Sequence, residues 1–296
     1  MYFLRREKVS SIIMYFFLGL ALVIPIVLVI GLFIKSNGVF DNNSISDLLF
    51  STVWKPYQGK YGFGAFIFNS VLVTMLSALM AVPVCILAAV YLTYYTKSIY
   101  LKIFQPIIDI LAGIPSIIYG VWGVLIVVPV ISKYVAPFFH YESTGYSVFT
   151  GGVILAIMII PFILNILIEI FKSISKELPE ASIALGATQW QTIKYVVMRK
   201  AFTGIVSSVV FGLSRAFGET IAVLMVVGNV TQLPGNIFQP GYPLPSLIAN
   251  NFGELMAIPG YESALMFAAV ILFFIVMFFN IAARLLITRY ENSVLS

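Results

Sequence analysis

Two ionisable residues, Arg215 and Glu219, interrupt the apolar stretch Phe202–Gly228. They lie four positions apart, so on a continuous helix they would share a face and could form an ion pair. The planar guanidinium of arginine suits phosphate or another tetrahedral oxyanion, because its N–H donors form a fork. The pattern therefore predicts either an anion pathway lined by Arg215 and held or gated by Glu219, or a structural ion pair between helices. Gly212 and Gly218 would let another helix approach closely.

The polar stretch Lys172–Lys200 has a spacing that predicts a helix, a tight turn and a second helix. Pro179 suits the first position of the first helix, where a backbone N–H has no partner. Gly186 can end that helix in a left-handed conformation. Thr188 and Gln191 have the spacing of a capping box, which begins the second helix. From the residues alone, this stretch is either an amphipathic connector or an element with a function of its own.

The composition of the chain indicates a membrane protein. Of the 296 residues, 60% are hydrophobic and 10% are charged, and the mean hydropathy is +1.02. A soluble domain carries about 25% charged residues, so the excess apolar residues are expected to face lipid. A membrane-crossing helix needs roughly 20 apolar residues. The stretches that meet this requirement are Ile12–Ile34, Phe66–Leu92, Ile103–Ile131, Gly152–Phe171, Phe202–Gly228 and Ser263–Ile287.

The basic residues predict the orientation of these spans. Twelve of the 17 lysine and arginine residues flank one set of span ends, and four flank the opposite ends. Positive charge favours the cytoplasmic side, so both termini are expected in the cytoplasm. The same placement accounts for the net charge of +5 without a nucleic-acid partner. The first span is expected to be retained, because its apolar run exceeds the about 7–15 residues of a signal-peptide core.

The residue inventory excludes several kinds of chemistry. One cysteine, Cys85, cannot form an intrachain disulfide, and one histidine, His140, cannot form a metal cluster by itself. The chain has no G-x-x-x-x-G-K-S/T phosphate loop, so it is not expected to hydrolyse ATP by that route. The sequence therefore predicts no catalytic residue, no metal ligand and no resident cofactor.

The remaining polar segments lead to smaller predictions. Asn37–Phe63 is rich in aromatic residues, which predict either a belt at the membrane interface or a docking face. Val230–Tyr261 is rich in proline, and its part Ser246–Leu255 is expected to form a short helix on the membrane surface. Two acidic residues lie near the inner ends of spans. Asp109 could contact the coupling loop, but a local helix cap or an ion pair with Lys102 is favoured. Glu169 is expected either to extend its carboxylate to the membrane surface or to pair with Lys172.

The cytoplasmic stretch contains a motif of a known family. Glu180, Ala181 and Ser182, followed after three residues by Gly186, resemble the EAA loop of ABC importer permeases. That pattern reads Glu-Ala-Ala, three residues, Gly, nine residues and Ile-x-Leu-Pro. Here Ser182 replaces the second alanine and Arg199 replaces the final proline. In the family, this loop docks into a groove on the ATPase subunit, and the resemblance implies that role for Glu180, Ala181 and Gly186.

The fifth span resembles one branch of that family. The segment Arg215–Asn229, RAFGETIAVLMVVGN, is similar to the fifth-span signature of phosphate permeases of the PstC type. The sister PstA type reads ETAPL after the same start, so Ile221–Val223 favours PstC. The resemblance implies roles in phosphate translocation for Arg215 and Glu219 and, by adjacency only, for Thr220. Further segments agree in the same order along the chain, namely 50–70, 111–124 and 242–254.

These resemblances imply an all-α membrane protein with the type I ABC importer permease fold, six transmembrane helices and cytoplasmic termini. Residues 1–65 would form an anchor helix and the first outer loop, and residues 66–290 a permease core with the coupling loop 172–200. The implied partners are a second permease of the PstA type, a dimer of ATP-binding subunits that holds ATP and Mg, and an extracytoplasmic phosphate-binding protein. The implied location is the plasma or inner membrane of a prokaryote.

Three alternatives stay open at this point. Arg215 alone does not separate phosphate from sulfate or molybdate, so another oxyanion could be the cargo. An ion-coupled secondary transporter would also have polar residues inside its spans. A non-transporting membrane scaffold would use Arg215 and Glu219 only as structural residues.

Overall fold

The computed structural model describes residues 2–41, 43–253 and 260–295, and most of them are helical. A two-stranded antiparallel hairpin, β1 (Trp54–Lys55) and β2 (Lys60–Tyr61), lies in the first outer loop. In these ranges the helices are α1 (Tyr2–Lys35), α2 (Ile45–Phe50), α3 (Gly64–Tyr95), α4 (Ser98–Gly113), α5 (Ser116–Phe138), α6 (Val148–Ser173), α7 (Glu177–Ala184), α8 (Gln189–Gly218), α9 (Ile221–Val226), α10 (Leu244–Asn251) and α11 (Tyr261–Leu295).

Six of the described helices are long and apolar enough to cross a membrane, which confirms the predicted number of spans. They are α1, α3, α5, α6, α8 and α11. Such runs form helices because backbone groups in hydrocarbon must be paired within their own segment. Helix α6 lies at the centre of the bundle, packed against α3, α4 and α8. From residue 11 onward, helix α1 is almost entirely exposed. It contacts α11, and an ion pair of 2.9 Å between Lys35 and Glu262 reinforces this contact. The division of the chain at residue 65 stays a prediction.

The third span differs from the predicted range Ile103–Ile131. Helix α4 ends at Gly113, and the crossing helix α5 begins at Ser116. Ile114 between them has extended backbone, with ψ 128°. The physical reason is Pro115, whose ring disfavours helical geometry in the residue before it. The amphipathic helix α4 is therefore a separate element that packs along α6.

The fifth span also differs from its predicted range. Helix α8 begins at Gln189, inside the cytoplasmic loop, so the second loop helix and the span are one element. It includes a π-helical turn at Ile193–Val197 and continues through Arg199. It ends at Gly218, whereas the sequence predicts one continuous helix to Gly228. The short helix α9 then follows after Glu219 and Thr220.

Close packing of α8 against α6 depends on two glycines. A Cβ atom at Gly204 would lie 2.8 Å from Ile170, and one at Gly212 would lie 2.5 Å from Ile163. The prediction that Gly212 permits close approach of a helix is therefore confirmed. Gly218 faces open space within this chain, with no atom within 4 Å of a Cβ placed there, so the same expectation for Gly218 stays a prediction.

The outer loops fold into the bundle instead of lying on its surface. The first turn of α10 is buried, and the Leu244 N–H donates a 2.7 Å hydrogen bond to the Ser70 hydroxyl of α3. The predicted surface helix is thus wrong in its location, because burial of Leu244 and Leu247 removes apolar area from water. Residue 255, the predicted end of that helix, lies outside the described residues.

The aromatic residues of the first outer loop form part of this outer core. The Trp54 ring makes edge contacts with those of Tyr61, Phe63, Phe66 and Tyr261, at centroid distances of 4.9–6.1 Å. The rings of Trp54, Tyr61 and Phe63 pack inward, which differs from the predicted interfacial belt or docking face. Tyr57 of the same loop is 86% exposed, so for that residue the belt or docking face stays a prediction. Burial raises the pKa of the Tyr61 hydroxyl above its ordinary value.

Candidate functional site

The predicted pathway residues lie at the break between α8 and α9. Arg215 is in the last turn of α8, and Glu219 and Thr220 form the non-helical link to α9. Glu219 has extended backbone, with φ −72° and ψ 125°, so it turns away from the helix path. The prediction that Arg215 and Glu219 share one helix face is therefore wrong. The break separates them although they are only four residues apart.

Arg215 interacts with an aromatic ring of α6. The central carbon of its guanidinium lies 3.4 Å from the centre of the Phe162 ring. A guanidinium that lies over an aromatic face is stabilised by the ring, and it keeps the N–H donors at its edge available. Arg215 is exposed, and no ion pair with Glu219 occurs in the described part of the chain. The cation is therefore held in place without being neutralised.

Glu219 acts as a cap for the short helix that follows it. Its Oε1 accepts a 3.2 Å hydrogen bond from the backbone N–H of Ala222. This bond satisfies one of the N–H groups that have no partner at a helix start, where negative charge is also favoured. Glu219 further lines a small cavity of about 10 Å³ with Ser70 and Thr74 of α3. Its structural role is thus local, which differs from the predicted ion pair.

Thr220 supports the geometry of the break. Its hydroxyl donates a 3.2 Å hydrogen bond to the carbonyl oxygen of Gly218. That carbonyl belongs to the last turn of α8, where carbonyl oxygens lack partners within the helix. Thr220 thus joins the two sides of the link.

The second break, between α4 and α5, lies near the first. The Tyr119 hydroxyl of α5 donates a 2.8 Å hydrogen bond to the Leu111 carbonyl of α4. Helix α9 packs closely on α5, because a Cβ at Gly120 would lie 3.2 Å from the Ala222 Cα. Sequence reasoning missed Tyr119, Phe162 and Gly120. Pro115 was the available signal for a break in the third span.

The acidic residues on the inner half of the bundle have different partners from those expected. Asp109 accepts a 2.7 Å hydrogen bond from the Asn165 side chain, one helical turn from Phe162 on α6. The predicted cap or pairing with Lys102 is therefore wrong. Lys172 donates to the Gln105 side-chain oxygen at 3.1 Å, so its predicted pairing with Glu169 is wrong as well. Glu169 is exposed, which agrees with the other prediction, that its carboxylate extends to the membrane surface. These two hydrogen bonds, Asp109–Asn165 and Gln105–Lys172, connect α4 to α6 at two positions along the helices.

The cytoplasmic loop has the predicted helix, turn and second helix. Helix α7 contains Glu180 and Ala181, both exposed, although it begins at Glu177 and so places Pro179 third. Gly186 has φ +87° and has open space around it. Leu185 at the tip is 90% exposed. The loop therefore projects an apolar tip from the inner end of the bundle.

The start of α8 is secured by the predicted capping box, which is confirmed. The Thr188 backbone N–H donates to the Gln191 side chain at 2.8 Å, and the Gln191 N–H donates to the Thr188 hydroxyl at 3.3 Å. The hydroxyls of Ser182 and Thr192 lie 3.0 Å apart and link α7 to α8. The loop is thus a defined element whose two arms are joined.

Comparison with known proteins identifies the family. Residues 81–294 match the family of binding-protein-dependent transport system inner membrane components. The phosphate transport system permease protein PstC of Xylella fastidiosa (strain 9a5c) is 35% identical over 257 residues, which cover 82% of this chain and 79% of the relative. The probable ABC transporter permease protein YqgH of Bacillus subtilis (strain 168) is 40% identical over 233 residues, covering 77% and 74% of the two chains.

Solved structures agree on the fold. A chain of a bacterial ABC transporter involved in the import of the acidic polysaccharide alginate has a TM-score of 0.60 at 18% identity, covering 90% of this chain and 95% of that chain. A chain of the MetNI methionine ABC transporter has a TM-score of 0.57 at 19% identity, covering 75% and 93%. With these matches, the chain belongs to the family of binding-protein-dependent transport system inner membrane components, in its PstC-type branch, and has the six-span fold of ABC importer permeases.

Proposed function

We propose that this chain is the permease subunit of an ATP-driven phosphate importer in the cell membrane of a prokaryote. The observation that carries the proposal is Arg215, an exposed guanidinium at the end of a broken membrane helix, with no carboxylate partner in the described part of the chain. A charge inside a span costs about 2.5–3.5 kcal/mol on insertion scales. A transported anion would offset that cost for the time it is bound. The PstC name of several relatives supports phosphate as the anion.

In this proposal, the residues at the break between α8 and α9 have different roles. Phe162 holds the Arg215 guanidinium over its ring, which leaves the edge donors free for a tetrahedral oxyanion. Glu219 caps α9 and so keeps its negative charge from neutralising Arg215. Thr220 bonds to the end of α8 and holds the link between the helices. In this proposal Arg215 contacts the anion, and Glu219 and Thr220 maintain the broken helix beside it.

The remaining partners belong to the same proposal. A second permease of the PstA type would complete the pathway, and an extracytoplasmic phosphate-binding protein would deliver phosphate to the outer loops. A dimer of ATP-binding subunits would bind the loop around Glu180, Ala181 and Gly186. The exposed Leu185 in this loop could form an apolar contact with such a subunit. ATP and Mg would be bound by those subunits, so this chain itself is a transport subunit and not the enzyme. Its surroundings would be the lipid bilayer, with no role for nucleic acid.

The test is phosphate uptake by the reconstituted complex with Arg215→Gln. We expect uptake to fall by about 100-fold, because a bidentate charged contact contributes about 1.5–3 kcal/mol. Arg284→Gln, an exposed arginine on α11, is the matched control and should transport normally. Normal uptake by Arg215→Gln would contradict the pathway role.

Competing anions and energy sources address the alternatives. Radiolabelled phosphate uptake should resist excess sulfate and molybdate, whereas a sulfate or molybdate permease would be inhibited by its own cargo. Uptake should stop when ATP is depleted and continue when the proton gradient is dissipated. The reverse pattern would indicate an ion-coupled secondary transporter. A scaffold would show no uptake of any of these anions.

A further inference from the structure

The inner ends of α3, α6 and α8 are connected by side-chain hydrogen bonds. The Gln189 side chain, in the first turn of α8, donates a 2.7 Å hydrogen bond to the backbone carbonyl of Tyr94 in α3. The Tyr94 hydroxyl in turn donates a 3.2 Å hydrogen bond to the backbone carbonyl of Phe171 in α6. The Tyr94 and Phe171 rings also meet edge to face at 6.1 Å. A continuous chain of bonds thus runs from the coupling loop into two spans.

Both acceptors are carbonyl groups of a last helical turn. Tyr94 lies in the π-helical turn Tyr91–Tyr95 that ends α3, and Phe171 lies two residues before the end of α6. Such carbonyls have no partner within their own helix. Gln189 of the loop therefore caps the inner end of α3, and Tyr94 of α3 caps the inner end of α6. Each bond fixes the position of a helix end relative to its neighbour.

The loop end of this chain is itself rigidly placed. Gln189 follows directly after Thr188, which forms the capping box with Gln191. The Ser182–Thr192 hydroxyl contact joins the same turn to α7. A displacement of α7 is therefore passed to Gln189 through short bonds instead of through a flexible linker.

We infer that Gln189 and Tyr94 transmit movement of the coupling loop to the inner ends of α3 and α6. This inference rests on the proposed function, because it assumes that an ATPase subunit moves the loop. Gln189 and Tyr94 act here as positioning residues, since neither contacts the anion. They act in addition to the covalent connections of the loop, which joins α8 directly and α6 through residues 174–176.

The first test uses two glutamines of one loop. Gln189→Glu removes the amide donor and places a carboxylate against the Tyr94 carbonyl. Gln191→Glu adds the same charge two residues away and keeps its bond, because it accepts from Thr188. In the reconstituted complex, we expect Gln189→Glu to lower phosphate transported per ATP hydrolysed by about three- to tenfold, the size of one hydrogen bond. Gln191→Glu should keep the parent ratio, and both should retain the ATPase subunits on purification.

The second test uses two neighbouring tyrosines. Tyr94→Phe removes the hydroxyl that bonds to Phe171 and keeps the ring contact. Tyr95→Phe, whose ring stacks on Tyr91, is the matched control. Tyr94→Phe should also lower the transport ratio, and Tyr95→Phe should not. Because the two bonds lie in series, the double variant Gln189→Glu with Tyr94→Phe should lose less than the product of the single losses. Independent losses would indicate separate structural roles and contradict the inference.

A third measurement does not depend on the cargo. Hydrogen exchange in the intact complex should change at 91–95 and at 171–176 when the ATPase subunits are trapped with nucleotide. In Gln189→Glu the changes at 91–95 and at 171–176 should be lost, while hydrogen exchange at 177–188 of the loop should still change. The inference would be overturned if hydrogen exchange at 91–95 changed equally in Gln189→Glu and Gln191→Glu, or if it did not change there in the parent complex. A parent complex that imports no phosphate would contradict the proposed function, while hydrogen exchange would still decide the transmission route.

Discussion

The break at Gly218–Thr220 and the coupling loop around Gly186 both connect two helices, but their surroundings differ. At the break, α9 packs on α5 so closely that a Cβ at Gly120 would lie 2.6 Å from the Met225 sulfur. At the loop, Gly186 has open space around it and Leu185 is 90% exposed. Gly218 at the break itself faces open space, but the helix α9 that follows it is placed by the volume of a neighbouring helix. The loop, in contrast, depends on its own caps and backbone conformation.

This contrast matches the two tasks proposed for the protein. A site that holds an anion needs fixed geometry, and tight packing supplies it. A loop that docks a partner needs an accessible surface with a defined shape, and local caps supply it. Substitutions that add volume should therefore act strongly beside the break and weakly at an open position elsewhere.

The largest effect is expected from Gly120→Leu. The added side chain would force α5 and α9 apart, which costs about 3 kcal/mol, at the upper end for overpacking. We expect lower thermal stability in detergent and loss of phosphate uptake. Gly31→Leu on α1, where a Cβ meets no atom within 4 Å, is the control and should leave both measurements unchanged. If Gly120→Leu and Gly31→Leu had equal thermal stability and equal uptake, the proposed difference between the packing beside the break and open positions would be contradicted.

An intermediate effect is expected from Gly186→Trp in the coupling loop. Its φ of +87° suits glycine, and an L residue there costs about 1–2 kcal/mol. The spans should still insert, while the amount of ATPase subunit that co-purifies should fall severalfold. Gly186→Asn is the control, because asparagine tolerates the left-handed conformation better than most residues. Normal assembly and uptake of Gly186→Trp would count against the coupling role.

The smallest effect on stability is expected from Glu219→Gln. Glutamine keeps the side-chain oxygen that accepts from Ala222, so the free energy of unfolding should change by less than about 0.5 kcal/mol, as for a substitution that keeps its contacts. Glu219→Ala should cost about 1 kcal/mol, because it removes the cap. An equal loss in both variants would indicate that the charge itself is needed, as in an ion pair with Arg215. Thermal unfolding of the purified protein distinguishes these outcomes.

The coupling loop shows how much local sequence can predict. Thr188 and Gln191 satisfy each other's backbone groups within four residues, and Gly186 ends α7 by its own freedom of conformation. No distant residue is needed for either feature. The helix, turn and second helix were accordingly predictable, and only the start of α7 and the continuation of α8 into the span differed.

The breaks in the third and fifth spans show what local sequence patterns cannot predict. Pro115 was a local signal for the first break, because proline restricts the residue before it. The second break has no proline, and its local signal is only Gly218, a residue that weakens a helix without necessarily ending it. The close contact of Gly120 with Ala222 joins residues about a hundred positions apart, and the bond from Leu244 to Ser70 spans 174 positions. Patterns within one segment contain no information on such pairs.

The sequence by itself determined that this is a membrane protein with six apolar helices, a capped helix–turn–helix loop and a cation inside the fifth span. These features follow from hydrocarbon burial and from backbone hydrogen bonds between near neighbours. Only the tertiary structure decided that Arg215 lies over Phe162 while Glu219 caps α9. The physical reason is that a side chain takes the partner that packing brings within reach, and at the break that packing comes from other helices.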